Sequence, residues 1–310
     1  MGAIIARMII RPAIPGDTPS IRRVCEEALD LEPDGGELPL ALAAGAAERR
    51  RFCLVADEGH LTGVCYGSLG RRGAPRGHID LLAVAPGARR RGIGRRLLAE
   101  AEAGLAALGV SEVVLAGNPP AHLWPGVDPR YTAMTVLAEE SGYQRHGDAV
   151  DMTVSLDDAS LVTEPDERRL AEAGITIRRA SSGEAAAVVA WLRDGPWGDS
   201  AWPDEVAAAL ARDPAGCHLA WRDGYLGFAC HGVVRRGWFG PMGTADLARG
   251  HGIGTVLLNR CLADMRAAGL PTARIGWVGP IRFYADVLGA RIERVYWRYS
   301  RELSDDANRK

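Results

Sequence analysis

Two six-residue stretches share the pattern Arg-x-x-Gly-x-Gly: Arg89 to Gly94 (RRRGIG) and Arg249 to Gly254 (RGHGIG). Each follows a strand-like stretch and leads into apolar residues at helical spacing, Leu97, Leu98, Ala101 and Leu105 in the first copy and Val256, Leu257, Cys261 and Met265 in the second. Glycine at such a junction lets backbone N–H groups approach an anion closely, at a helix start whose unpaired donors and dipole already favour negative charge. A phosphate or pyrophosphate is the matching guest. Neither copy is a dinucleotide fingerprint, because Leu97 and Leu257 stand where the third glycine belongs. For one copy alone, a tight turn that merely needs glycine explains as much; two copies in the same place of a repeated unit favour the anion.

Composition removes other chemistries. Lys310 is the only lysine, so Schiff-base catalysis, pyridoxal phosphate chemistry and a phosphate-loop ATPase all lack their amine. Cys25, Cys53, Cys65, Cys217, Cys230 and Cys261 are irregularly spaced with no C-x-x-C, which predicts reduced, mostly buried thiols and no metal site. With 37 basic against 39 acidic residues, the net charge of −2 gives no global pull toward nucleic acid or an anionic membrane. No stretch approaches eighteen apolar residues, and the few before Arg7 are too short for a secretory leader, so a cytoplasmic location is expected. Nothing in the sequence sets an oligomeric state.

The elements that must position the two turns are themselves repeated. At 310 residues the chain is long enough for two domains, and MIIRPA (8–13) returns as ITIRRA (175–180). VADEGHLTGVCYGSL (55–69) and AWRDGYLGFACHGVV (220–234) both read as β-hairpins. Each half then runs strand, glycine turn, helix and a further strand, VVLAGN in one and ARIGWVG in the other. This alternation predicts a mixed α/β sheet. The expected domains are 1–158 and 172–310, joined by a polar, short helical linker at 159–171. Only the first half carries the insertion Asn118 to Asp128, too long for a simple connection, which is expected to line a pocket or dock on the other domain. Its His122 is read as an incidental loop histidine.

With LLAVAP before the first turn, RRLL after it, and GPMGTADLARGHGIGTVLL in the second half, the chain resembles the GNAT (Gcn5-related N-acetyltransferase) superfamily across both halves. The resemblance implies two such domains in tandem, each a mostly antiparallel sheet with a splayed central strand pair and flanking helices. It implies acetyl-CoA, or another acyl-CoA, as the donor. Its pyrophosphate would lie on the amides of Arg89, Arg90, Arg91, Gly92, Ile93, Gly94 and Arg95, and of Arg249, Gly250, His251, Gly252, Ile253, Gly254 and Thr255. Its pantetheine arm would lie along Leu82, Ala83 and Val84, and along Met242, Gly243 and Thr244.

Acetyl transfer needs a polarised thioester, a deprotonated amine and a proton for the departing thiolate. By resemblance the proton comes from a tyrosine on the helix after the fifth strand, and Tyr284 in the second half fits, one residue further than usual from Gly289. The first half has Ala138 there. A carboxylate at the start of the fourth strand often serves as base; Asp80 fits in the first half, while the second has Gly240 and must draw on Asp199, Asp204, Glu205 or water. Trp197 and Trp202, beside Asp199, suit a cationic or sugar-like small amine, or else pack an inter-domain surface. The expectation is an acyl-CoA-dependent N-acyltransferase working by direct amine attack, with its chemistry in the C-terminal half. The rival is a CoA-binding sensor with one or both halves inactive.

Overall fold

The computed structural model describes residues 8–44, 50–70, 76–119 and 122–303. The chain divides into two compact units, Met1–Ala149 with Tyr296–Lys310, and Val150–Val295.

The first unit opens with β1 (Ile9–Pro12), α1 (Thr18–Ala28) and α2 (Leu38–Ala44). Next come the hairpin β2 (Arg51–Asp57) and β3 (Leu61–Leu69), then β4 (Arg76–Val84), α3 (Ile93–Ala106), β5 (Glu112–Leu115), α4 (Thr132–Glu140) and β6 (Gln144–Ser155). β1 to β4 pair antiparallel in sequence order, and β4 and β5 run parallel. Along α3, Leu97, Leu98, Ala101 and Leu105 are buried, as an apolar stripe of period 3.6 must be when it faces a sheet.

The second unit repeats this order: α5 (Glu164–Glu172), β7 (Thr176–Arg179), α6 (Ala185–Asp194), α7 (Trp202–Leu210), the hairpin β8 (Cys217–Trp221) and β9 (Tyr225–His231), β10 (Trp238–Thr244), α8 (Ile253–Ala267), β11 (Thr272–Ile275), α9 (Ile281–Leu288) and β12 (Arg291–Glu302). β7 to β10 pair antiparallel, and β10 runs parallel to β11. Val256, Leu257, Cys261 and Met265 of α8 are buried in its core.

The units are not the two successive segments 1–158 and 172–310. In the first unit β5 pairs antiparallel with Ser300–Glu302 of β12, so a strand from the end of the second repeat continues its sheet. In the second unit β11 pairs with Met152–Ser155 of β6. Each unit therefore takes its sixth strand from the other repeat, an exchange that leaves the order of elements along the sequence unchanged. The segment expected as a linker also belongs to the second unit: Leu161 and Leu170 are buried in its core. The hydrophobic cost of exposing two leucines is enough to dock a helix that reads as polar in sequence.

One charged cluster stitches α8 to the outer strands of the second unit. Asp264 accepts from His218 Nε2 at 2.7 Å and pairs with Arg179 at 2.5 Å, with His231 Nε2 at 3.4 Å. Burial pushes the Asp264 carboxyl upward, but the hydrogen bonds from His218 and His231 and the charges of His218 and Arg179 outweigh it and hold the group well below the usual carboxylate range. A depressed acid stabilises the fold above its unfolded pKa and loses that contribution as pH falls toward its folded value. Asp264→Asn should therefore lower stability at pH 7 by about 2 kcal/mol, the usual effect of breaking a charged hydrogen bond. Chemical denaturation between pH 7 and 3 should show the two proteins converging below about pH 4. A constant difference over that range would contradict this account.

Candidate active site

In both units the turn before the helix has the same backbone. Gly92 (φ 80°) and Gly252 (φ 79°) are left-handed N-caps of α3 and α8, and the residues two positions earlier, Arg90 (φ 64°) and Gly250 (φ 83°), are left-handed too. Left-handed residues interleaved with ordinary ones turn successive N–H groups to one side, a concavity suited to an anion, and the helix dipole adds to it. An added Cβ at Gly92 would meet nothing within 4 Å. At Gly252 the same point lies 2.7 Å from Nη2 of Arg169.

Beside each turn the sheet splits. β4 pairs with β5 from Arg76 to Ile79, after which β5 ends at Leu115 and turns away through the left-handed Ala116 and Gly117, while β4 continues to Val84. β10 pairs with β11 only at Trp238 and Phe239 and continues to Thr244. The two forks share a register irregularity: the ladder to the preceding strand skips Asp80 in one, and Gly240 and Pro241 in the other. A bulge bends a strand and re-aims its side chains, which helps β4 and β10 diverge from their neighbours.

In the first unit the fork opens into a cleft of about 690 Å³. Leu82, Ala83, Val84, Arg89, Arg90, Gly92, Ile93, Gly94 and Arg95 all line it, and Arg91, on the same turn, pairs instead with Glu58. Asp80, buried at the bulge, lines it too. So do residues of the insertion: Trp124, Gly126, Val127 and Asp128. That segment is fixed inside the unit, because Val127 bridges to Trp297 of β12 and the Trp124 indole donates to the buried Glu32 at 3.0 Å. Pro120 and Ala121 of the insertion lie outside the described residues. His122 is buried and does not line the cleft.

Two groups to which the sequence reading gave no role stand in this cleft. Asp128 is buried in the cleft wall and held by Arg130 through Nε at 3.0 Å and Nη2 at 2.6 Å. Tyr131 lines the same cleft, its hydroxyl accepting from the Leu31 N–H at 3.2 Å. It stands at the start of α4, far in sequence from Gly142, so a search by spacing to that glycine misses it.

In the second unit Tyr284 sits on α9, its ring buried against Phe239 at 6.2 Å and Phe283 at 5.1 Å. Phe239 is the last residue of β10 still paired with β11, so the tyrosine stands at the point of the fork. Around Gly254 a Cβ would meet Met242, Phe283 and Thr244; around Gly94 it would meet Leu137, Leu82 and Val84. Phe283 thus takes the place of Leu137, and Tyr284 that of Ala138. The extra residue before Gly289 is absorbed at the helix end, where the Ala290 N–H bonds back to Tyr284 across six residues and the Tyr143 N–H to Ala138 across five. Burial raises the Tyr284 phenol to about 12. Among the described residues no group accepts from its hydroxyl.

Trp197 and Trp202 pack edge-on against the core ring of Phe228, at 5.3 and 5.8 Å. Trp197 also lies against β10, its ring 2.7 Å from where a Cβ on Gly243 would stand. Asp199 is exposed and Asp204 is paired with Arg193 at 3.7 Å, whereas Glu205 is buried and close enough to Cys230 to help raise its thiol. All six cysteines are free thiols. Burial pushes Cys25 up to about 12 and Cys53 to about 11, so neither is a ready nucleophile.

Both units thus set a left-handed glycine turn beside a forked sheet, and the chain can be compared on that footing with known proteins. The model of the acetyltransferase (GNAT) family matches residues 21–124 and again 185–289. The chain belongs to this family. It is 31% identical to the mycothiol acetyltransferase of Geodermatophilus obscurus over 271 residues, 81% of each chain. In fold it is similar to the GCN5-related glucosamine N-acetyltransferase region of a fungal multi-domain GH3 β-N-acetylglucosaminidase, with a TM-score of 0.78 at 16% identity, covering 96% of this chain and 38% of that longer protein. It is also similar to a tandem GNAT protein from the clavulanic acid biosynthesis pathway, with a TM-score of 0.68 at 19% identity, covering 96% of this chain and all of that one. N-Acetyl transfer is the activity class of the chain, and two GNAT domains in tandem are its organisation. No helix among the described residues is long and apolar enough to cross a membrane.

The turn geometry sets an expectation for its glycines. Gly92→Val and Gly252→Val each force a β-branched residue into the left-handed region, at about 1–2 kcal/mol or more, and tilt the N–H groups away from the anion. Titration calorimetry should give two equivalents of acetyl-CoA per chain for the parent and one for each variant. A single equivalent in the parent, removed by one substitution alone, would mean that only one turn binds.

Proposed function

We propose that the chain transfers an acetyl group from acetyl-CoA to the amine of a small molecule by direct attack, with the chemistry in the C-terminal unit. The observation that carries this reading is Tyr284: a phenol packed on Phe239 at the fork of β10 and β11, with no protein acceptor among the described residues. The donor supplies an acyl carbon already bonded to a thiolate leaving group. The turn from Arg249 to Thr255 would hold its pyrophosphate, and Met242, Gly243 and Thr244 on the free edge of β10 would lie along its pantetheine arm. As the C–N bond forms and the C–S bond breaks, Tyr284 gives its proton to the departing sulfur. Glu205, the buried carboxylate on the same side as the tryptophans, is the favoured base for the incoming ammonium, acting through water. Trp197, Trp202 and Asp199 would flank the acceptor, the rings by stacking and the carboxylate by charge.

The first unit binds the donor in the same way, along Leu82 to Val84 and on Arg89 to Arg95. A second reading makes that unit the catalytic one, since Asp80 and Tyr131 line one cleft with its turn. The amine accepted by mycothiol acetyltransferase is the first acceptor to test, followed by amino sugars, polyamines and amino acids.

Tyr284→Phe keeps the ring and removes the proton, so kcat should fall by roughly 10²-fold with the KM for acetyl-CoA nearly unchanged, the usual contribution of a positioned acid. Thiol release measured with the acceptor panel checks it. Unchanged turnover would reject Tyr284, and a large loss in Asp80→Asn would then move the chemistry to the first unit. Acetyl-CoA binding without thiol release on any acceptor would instead favour a sensor.

A further inference from the structure

The two turns share a backbone but not a backing. Arg169 of α5 donates from Nη1 to the His251 carbonyl at 2.9 Å, while its Nη2 pairs with Asp166 at 2.9 Å. At the equivalent point of the first unit, a Cβ on Gly92 would meet no atom within 4 Å.

Peptide planarity says which side of the turn Arg169 occupies. The His251–Gly252 bond is trans, so its carbonyl and its N–H point in opposite directions. A guanidinium on that carbonyl therefore stands behind the peptide whose N–H heads the row of unpaired donors at the start of α8. A hydrogen bond to one end of a peptide polarises it and strengthens the donor at the other end. The helix that carries Arg169 is firmly set: Leu170 is in the core, and Glu167 accepts from Arg260 of α8 at 2.6 and 2.5 Å. The Arg260 guanidinium holds the Glu167 carboxyl below its ordinary range. One end of α5 is thus tied to α8 itself, and its arginine reaches the turn that opens that helix.

We propose that Arg169 is a positioning residue for the C-terminal donor site: it fixes the His251–Gly252 peptide and sharpens its N–H toward the pyrophosphate from the carbonyl side. The proposal rests on the reading of the C-terminal unit as the catalytic acetyl-CoA site. It predicts a defect confined to the part of the donor that carries phosphate.

The test compares acetyl-CoA with acetyl-pantetheine, which has the same thioester and arm but no pyrophosphate, in the full chain. Arg169→Ala should raise the KM for acetyl-CoA about tenfold, the effect of losing one charged hydrogen bond. It should leave kcat and the KM for acetyl-pantetheine within about twofold, and Arg169→Lys, which keeps a cationic donor, should recover part of the loss. Equal losses for both donors would make Arg169 a purely structural tie and overturn the proposal. So would a lower KM for acetyl-CoA, which would mark the arginine as an obstacle that the donor must displace. Should Arg169→Ala fold poorly, Arg169→Gln, which keeps a neutral donor, must show the same split between donors. Tyr284→Phe run in parallel keeps the two readings apart, because unchanged turnover there rejects the catalytic assignment whatever Arg169 does.

Discussion

In each unit two parallel strands keep their ladder for only part of their length, and the longer one then runs on alone on that side. A strand edge inside a folded unit leaves N–H and C=O groups that must find partners, and an extended ligand is one way to supply them. The fork also fixes where the other parts must be. The glycine turn leaves the free end of the long strand, so its N–H groups face the mouth of the fork. The helix after the short strand packs beside it, with Leu137 against the first glycine turn and Phe283 against the second. Bulges at Asp80 and at Gly240–Pro241 serve the same geometry from the opposite edge of the long strand.

The repeated elements were readable because each rests on local rules. Alternation around turn residues gave both hairpins, and period 3.6 gave the buried stripes of α3 and α8. Glycine before a helix gave both turns because few other residues hold a φ near 80° without strain. Other features were not local and could not be read that way. Tyr131 lines the cleft from the start of α4, and its spacing to Gly142 carries no trace of that. The exchange of β6 and β12 leaves the order of elements unchanged, and a strand's sequence records which of its faces is buried rather than which neighbour it pairs with. The polar segment around α5 read as a linker because only Leu161 and Leu170 of it are committed to the core.

Duplication has left the two units alike in backbone and different in chemistry. The first keeps a buried carboxylate at its bulge, the second a phenol at its fork, and neither has both in the equivalent places. Aromatic rings crowd around Phe228 in the second unit, whereas the first has a loop pinned by Val127 and Trp124. Trp297, late in the sequence, belongs with the first unit and lies under Arg145 at 4.2 Å. The second turn has also acquired a guanidinium behind it. Divergence of this kind is open to any duplicated site, since function follows the side chains placed on a fold more than the fold itself.

The strand exchange has a consequence for how the polypeptide is made. A ribosome delivers the first unit almost whole, yet β5 must wait for Ser300–Glu302 before its edge is covered. Until then that edge is open to pairing with another chain, the usual route to misassembly. The contacts that close it are among the longest in sequence that the protein makes, and such contacts are slow to form. Cutting the chain between its two repeats would give neither fragment a complete sheet.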